Sequence, residues 1–271
     1  FTVGPGQVAS STNDTGGGAN NTVAWSWKAG GAPTATNSAG AGNPPTSGSV
    51  MIDGVASSSA LAGNVEAKKM SVNTTSQFSI VNFTSQSGAT NQVPHGLSGT
   101  PDLFIFKRID SSESWWTYTQ VIDGSLDYFT LNTSDVKSDS SETAPTSTTV
   151  YQPTSSSGRD YILYSWKSVT DYSKIGYYTG VSTGTRTHIT GFEPVWVMIK
   201  GTNFSDSWYI YDNKRRTPLS SILFADLSDA EYTTDNSALY VTFVSQGFTT
   251  SGALSGIDGA SRNFIYIAFG S

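Results

Sequence analysis

One stretch of this chain occurs twice, and that repetition constrains the fold more than any propensity. His95-Gly-Leu-Ser-Gly-Thr-Pro101 returns as His188-Ile-Thr-Gly-Phe-Glu-Pro194, an offset of 93 residues at both ends. The register then runs without a gap for 24 positions, carrying Lys107 onto Lys200, Ser114 onto Ser207, Trp115 onto Trp208, Trp116 onto Tyr209 and Tyr118 onto Tyr211. Phe78 to Thr84 corresponds to Ser173 to Thr179 before the block, Leu131 to Asp135 corresponds to Ala225 to Asp229 after it, and Arg159 to Trp166 corresponds to Arg262 to Phe269 at its end. A duplication of this size means that whatever fold suits one copy must suit both.

The copies read as strands. Asp102-Leu-Phe-Ile-Phe-Lys107 and Val195-Trp-Val-Met-Ile-Lys200 are apolar at consecutive positions, as central strands covered on both faces are. Trp115 to Thr119, Tyr128 to Leu131 and Thr148 to Tyr151 follow in the first copy. Trp208 to Asp212, Ile222 to Ala225 and Tyr240 to Val244 follow in the second, with turn signals at Asp123-Gly124, Gln246-Gly247 and Asp258-Gly259. The nearest thing to a helical stretch, Ala56 to Lys69, is broken by Gly63 and a Ser run. The fold class expected is all-β, with two tandem antiparallel β-sandwich (jelly-roll-like) modules, repeat 1 over residues 78–168 and repeat 2 over 169–271.

What precedes them divides in two. Thr22 to Lys28 reads like Ile162 to Lys167, so residues 1–28 are expected to be the C-terminal piece of a preceding repeat. Residues 29–77 are rich in Gly, Ala, Ser, Pro and Asn and carry too little apolar surface for a core of their own. They are expected to form an extended arm or linker, with Val50 to Ile52 and Ala60 to Ala62 as docking points.

Composition removes several functions. Ser and Thr supply 76 of 271 positions, charged residues only 13%, and the net charge is −6, which disfavours nucleic acid and anionic membrane surfaces as partners. There is no Cys, hence no disulfide framework and no thiolate chemistry. No apolar run is long enough for a membrane helix and no secretory leader is expected. Nucleophile-elbow, HExxH and phosphate-loop motifs are missing, and no cofactor is expected.

Some candidates remain. One His per copy cannot supply a zinc site, so the favoured role for His95 and His188 is to satisfy backbone groups at a turn. Trp115, Trp116, Trp208 and Tyr209 are candidate contacts for a partner or a glycan, one of each pair turned to the core and the other outward. Asp110, Glu113, Asp123, Asp127, Asp206, Asp212 and Asp226 are the carboxylates from which a glycosidase pair would be drawn. The acidic stretches Ser134 to Glu142 and Ser228 to Asp235 offer oxygens for calcium but lack a recognised loop spacing, and Lys214-Arg215-Arg216 is read as an exposed strand end.

Together Trp25-Ser-Trp27-Lys-Ala-Gly-Gly, Phe78-Ser-Ile-Val, His95-Gly-Leu, Pro101-Asp-Leu-Phe-Ile-Phe-Lys-Arg108, Leu131-Asn-Thr-Ser and Tyr172-Ser-Lys-Ile-Gly-Tyr-Tyr-Thr-Gly180 make a pattern. It resembles an uncharacterised tandem repeat of long structural proteins of aquatic bacteriophages, over nearly the whole chain. The resemblance implies a virion component in a fibre-like setting, and with no catalytic motif found the function expected is that of a non-enzymatic tail, fibre or spike module. Its expected partners are other virion proteins, copies of itself and host-surface glycans. A capsid decoration protein clamping its neighbours by the arm, and a glycan depolymerase, are the alternatives. No catalytic or binding residue carries over.

Overall fold

The computed structural model describes residues 23–87, 90–152, 157–181, 183–215, 220–234, 241–252 and 255–271. In the first half the strands are β1 (Val50–Ile52), β2 (Val55–Ala56), β3 (Ala67–Asn73), β4 (Phe78–Thr84), β5 (Asn91–Pro94), β6 (Leu103–Arg108), β7 (Trp116–Thr119), β8 (Asp127–Thr130), β9 (Ser138–Asp139), β10 (Thr149–Gln152) and β11 (Asp160–Trp166). The second half has β12 (Ser173–Thr179), β13 (Thr185–Ile189), β14 (Trp196–Gly201), β15 (Trp208–Asp212), β16 (Ser220–Phe224), β17 (Tyr232–Thr234), β18 (Thr242–Val244), β19 (Gly247–Ser251), a single helical turn α1 (Ser255–Asp258), and β20 (Asn263–Phe269).

Each half is a lopsided sandwich. A nine-stranded sheet, β2-β1-β3-β4-β11-β6-β7-β8-β9, is covered on one face by the β10-β5 pair, and a six-stranded sheet, β12-β20-β14-β15-β16-β17, is covered by β13-β19-β18. The duplication is visible in the ladders. Trp166 lies between Phe78 and Leu103, and Phe269 lies in the same way between Ser173 and Trp196. The consecutive apolar residues of β6 and β14 are explained by burial on both faces. Phe104 and Phe106 enter the first core with Phe83, Tyr118 and Leu163, while Val197 and Ile199 enter the second with Phe248, Phe264 and Tyr266.

The alternate side chains build a third core between the two large sheets. Leu103 and Phe129 from one sheet meet Trp196, Met198, Trp208, Ile210, Ile265 and Ile267 from the other. Four layers result, with the small sheets outermost. Burying a large apolar side chain stabilises by roughly 1.5–3 kcal/mol, whereas a hydrogen bond nets about 1 kcal/mol. This core therefore holds the halves together. The bonds at its edge, in which the Ser134 carbonyl accepts from Lys200 Nζ (3.0 Å), Ser205 Oγ (3.0 Å) and Asp206 N (3.1 Å), set the alignment.

Three expectations need correction. Residues 29–77 are not an extended arm: β1, β2 and β3 join the first large sheet, with Val50, Val65, Met70 and Val72 buried in its core. Val23 to Lys28 forms no ladder. It alternates as a strand would, and Trp25 and Trp27 turn inward against Trp196, Trp166 and Phe269, so aromatic packing replaces pairing. The remainder of the segment read as a preceding repeat, residues 1–22, lies outside the described residues. Finally, the partner of β10 in the second half is β19, not Tyr240 to Val244, because β19 pairs with the His-bearing strand β13 as β10 pairs with β5.

Candidate functional site

The two histidines sit at matching places in the small sheets, and both are buried. His95 Nδ1 accepts from Leu97 N (3.1 Å), which leaves Nε2–H to donate to the Thr146 carbonyl (3.3 Å). Gly96 makes that turn at φ 70°. His188 differs: its Nε2 meets Thr250 Oγ1 (2.8 Å), Thr250 donates to Asp258 Oδ2 (2.6 Å), and its ring packs on Tyr178 at 3.9 Å. Burial pushes both imidazoles down to about 4, so both are neutral at ordinary pH.

The acidic candidates scatter. Asp110 takes Arg108 Nε (2.6 Å), Asp206 accepts from the Tyr209 hydroxyl (3.0 Å), and Asp226 accepts from Trp208 N (2.9 Å). Asp212 pairs with Arg215 (2.6 Å), which also binds Glu231 and lies over Trp25. Arg215 is thus internal, and the reading of Lys214 to Arg216 as an exposed end fails at its centre; Arg216 is outside the described residues. Asp123, Asp127 and Asp139 do converge, within 4.8 Å of one another. Lys137 Nζ already lies at their centre, 3.1, 2.6 and 2.7 Å away, and supplies the cation that calcium would have brought. The second acidic stretch ends at Asp235, outside the described residues.

The four aromatic candidates part company as well. Trp208 is almost wholly buried, donating Nε1 to the Thr130 carbonyl (3.3 Å) and packing on Phe129; its contact is the other half of the chain, and no glycan reaches it. Trp115 stacks on Tyr164 at the edge of the inter-sheet core. Trp116 and Tyr209 occupy equivalent positions over their own sandwich cores.

Around Trp116 lies an open cleft of about 410 Å³. Its floor is Phe106, Trp116, Tyr118, Tyr128 and Tyr161, and its rim is Glu113, Asp139, Ser140, Ser141, Glu142, Gln152 and Arg159. Strands β6, β7, β8 and β11 supply the rings because alternate residues of each point the same way. Glu113 is held by two of them: Trp116 Nε1 donates to Oε1 and the Tyr161 hydroxyl to Oε2, both at 3.3 Å. Asn91 Nδ2 donates to Gln152 Oε1 (3.0 Å), which orients the Gln152 amide at the cleft with its nitrogen as a donor. Burial, then the nearby charges of Glu142 and Glu113, pushes the Tyr118 phenol up, and burial followed by Glu113 does so at Tyr161. Both phenols stay neutral.

Of the seven carboxylates considered, only Glu113 lines the cleft; Glu142 was singled out only as a source of calcium oxygens, and Arg159, Tyr128, Tyr161 and Gln152 were missed. One signal was available in the sequence, an acid three residues before an aromatic in both copies, Glu113 with Trp116 and Asp206 with Tyr209.

Fold and cleft together define an all-β sandwich protein with an open, aromatic-floored, acid-rimmed site. Residues 51–271 match the family DUF7483, a domain of unknown function, and the chain belongs to that family. No curated protein and no solved structure matches it.

Proposed function

We propose that the chain is a structural, non-enzymatic component of a bacteriophage particle. It serves as a tail, fibre or spike module that assembles with other virion proteins and further copies of itself, and its cleft engages host-surface glycans. The observation that carries this reading is the packing of one repeat on another through equivalent faces. Trp27, Trp166 and Phe269, which occupy corresponding places in the repeat, converge in one aromatic cluster. A unit that buries the same face against its relatives suits lateral assembly into a rigid body. The sequence resemblance to phage structural proteins supplies the setting, and the extracellular particle is the location.

Capsid decoration is the second reading, but the segment it needs as a clamp is spent on the chain's own sheet at β1 and β3. Antibody labelling of purified particles under the electron microscope tests the proposal. Label along the tail or on fibres is expected; label following capsid symmetry would favour decoration, and unlabelled particles would end the virion reading altogether.

A further inference from the structure

The two sandwiches differ in what lies over their acid–aromatic pairs. In the second, α1 lies over the acid–aromatic pair: a Cβ on Gly256 would come within 2.6 Å of the Tyr209 hydroxyl and 3.1 Å of Asp206 Oδ2, and Ile257 is fully buried in the second core. The Tyr178 hydroxyl fixes this turn by donating to the Ile257 carbonyl. The connection that carries α1 is longer, running from Ser251 to Asn263, whereas the first half passes from Gln152 to Asp160. Protein interiors are close-packed, and the second sandwich fills its cavity with a helical turn; in the first, no described residue fills the equivalent space, which is an open cleft. The open copy is therefore not a requirement of the fold.

We infer that the cleft of the first sandwich is a binding site for a neutral, hydroxyl-rich saccharide. The chemistry is specific. Aromatic rings offer faces for the C–H side of a pyranose, and Tyr128 and Trp116, in tilted contact at 5.7 Å, are both only half buried. Each Glu113 oxygen has one donor already and keeps a further lone pair, so the carboxylate is held in place to accept from neighbouring sugar hydroxyls. The Gln152 amide and the exposed Ser141 hydroxyl offer donors. Glu113 and Glu142 outnumber Arg159, and Asp139 is matched by Lys137, so the field in the cleft is negative and turns away uronic or sulfated sugars. A volume of about 410 Å³ lies within the usual range of small-molecule sites. For its biological setting this inference rests on the adhesive part of the function proposed above.

The test uses the whole chain with methyl glucoside, methyl galactoside, N-acetylglucosamine and lactose as neutral probes and glucuronic acid and a sulfated disaccharide as acidic ones, read by saturation-transfer NMR and tryptophan fluorescence. Saturable binding of at least one neutral probe and none of the acidic ones is expected. Tyr128→Ala should weaken it by about tenfold, the loss of one stacked ring. Ser141→Trp, a change at an exposed rim position, should block it without altering the melting temperature, and Tyr209→Phe in the filled sandwich should leave it unchanged. No binding, preference for acidic probes, or affinity untouched by Tyr128→Ala and Ser141→Trp would overturn the site. That failure is separable from failure of the particle reading, which labelling decides independently, while new reducing ends released from lactose would sink the non-enzymatic reading and leave the site standing.

Discussion

At the scale of single residues, the buried polar groups set the response to pH. Burial lowers the pKa of His95 and His188 to about 4 in the fold, against 6.5 when unfolded. The unfolded chain therefore binds more protons between those values, and stability is fully present above pH 6.5 and is lost as pH falls toward 4. Each shift corresponds to about 3 kcal/mol at its limit. Denaturant unfolding followed across pH 4 to 7 should give midpoints that drop steeply with acid, and His95→Gln should flatten the slope; an unchanged midpoint would contradict the burial of the rings. Lys200 is a second such group. It is fully buried, its ammonium donates to the carbonyls of Ser134 and Asp206, and burial lowers it to about 8. Lys107, its counterpart, donates to the Glu113 carbonyl in the same six-residue reach. Lys200→Met strands a buried acceptor and should cost about 1–3 kcal/mol, measured as a lower urea midpoint.

At the scale of elements, segments differ in how much their sequence discloses. β6 and β14 were legible because consecutive apolar residues have few uses other than a strand covered on both sides, and the ladders place both inside their sheets. β3 was not: Ala67-Lys-Lys-Met-Ser-Val-Asn73 is polar at half its positions and contains a bulge between Ala67 and Lys69, so its inward residues break the period of two. The path of residues 29–49 is equally opaque in sequence, because it is fixed by backbone bonds such as Gly54 N to the Gly30 carbonyl (2.7 Å) and by single polar side chains such as the buried Asn37, whose Nδ2 donates to the Ala67 carbonyl (3.2 Å). A Cβ at Gly30 would overlap the Val72 carbonyl, so Gly30→Ala should lift this segment from the sheet. Faster limited proteolysis within residues 29–49, with the remaining fragment protected, is the expected result; unchanged cleavage would refute the packing. The cleft escaped sequence reading for a related reason. Its lining comes from six separate stretches between Phe106 and Tyr161, and the Glu113–Trp116 spacing is the local signal.

At the scale of the whole molecule, the inter-sheet core makes one body of two copies. Because Trp208 belongs to the second half yet packs on Phe129 and bonds Thr130 of the first, Trp208→Ala should cost about 3–5 kcal/mol. Calorimetry should show one cooperative transition in the parent chain and a lowered one in the variant. The duplication was plain from the offset of 93 and the all-β class from the apolar runs and turn signals; the face-to-face union was not, since nothing in a repeat says which surface meets its neighbour. That union is also what the proposed structural role requires. It can be measured directly because the chain has no cysteine. Ser134 Oγ and Ser205 Oγ lie 3.4 Å apart across the two halves, and Ser134→Cys with Ser205→Cys should oxidise to an intramolecular bridge, seen as the loss of two hydrogens in the intact mass and of both free thiols. Thiols that stay free under mild oxidation, or that join only different molecules, would mean the two sheets do not meet as described.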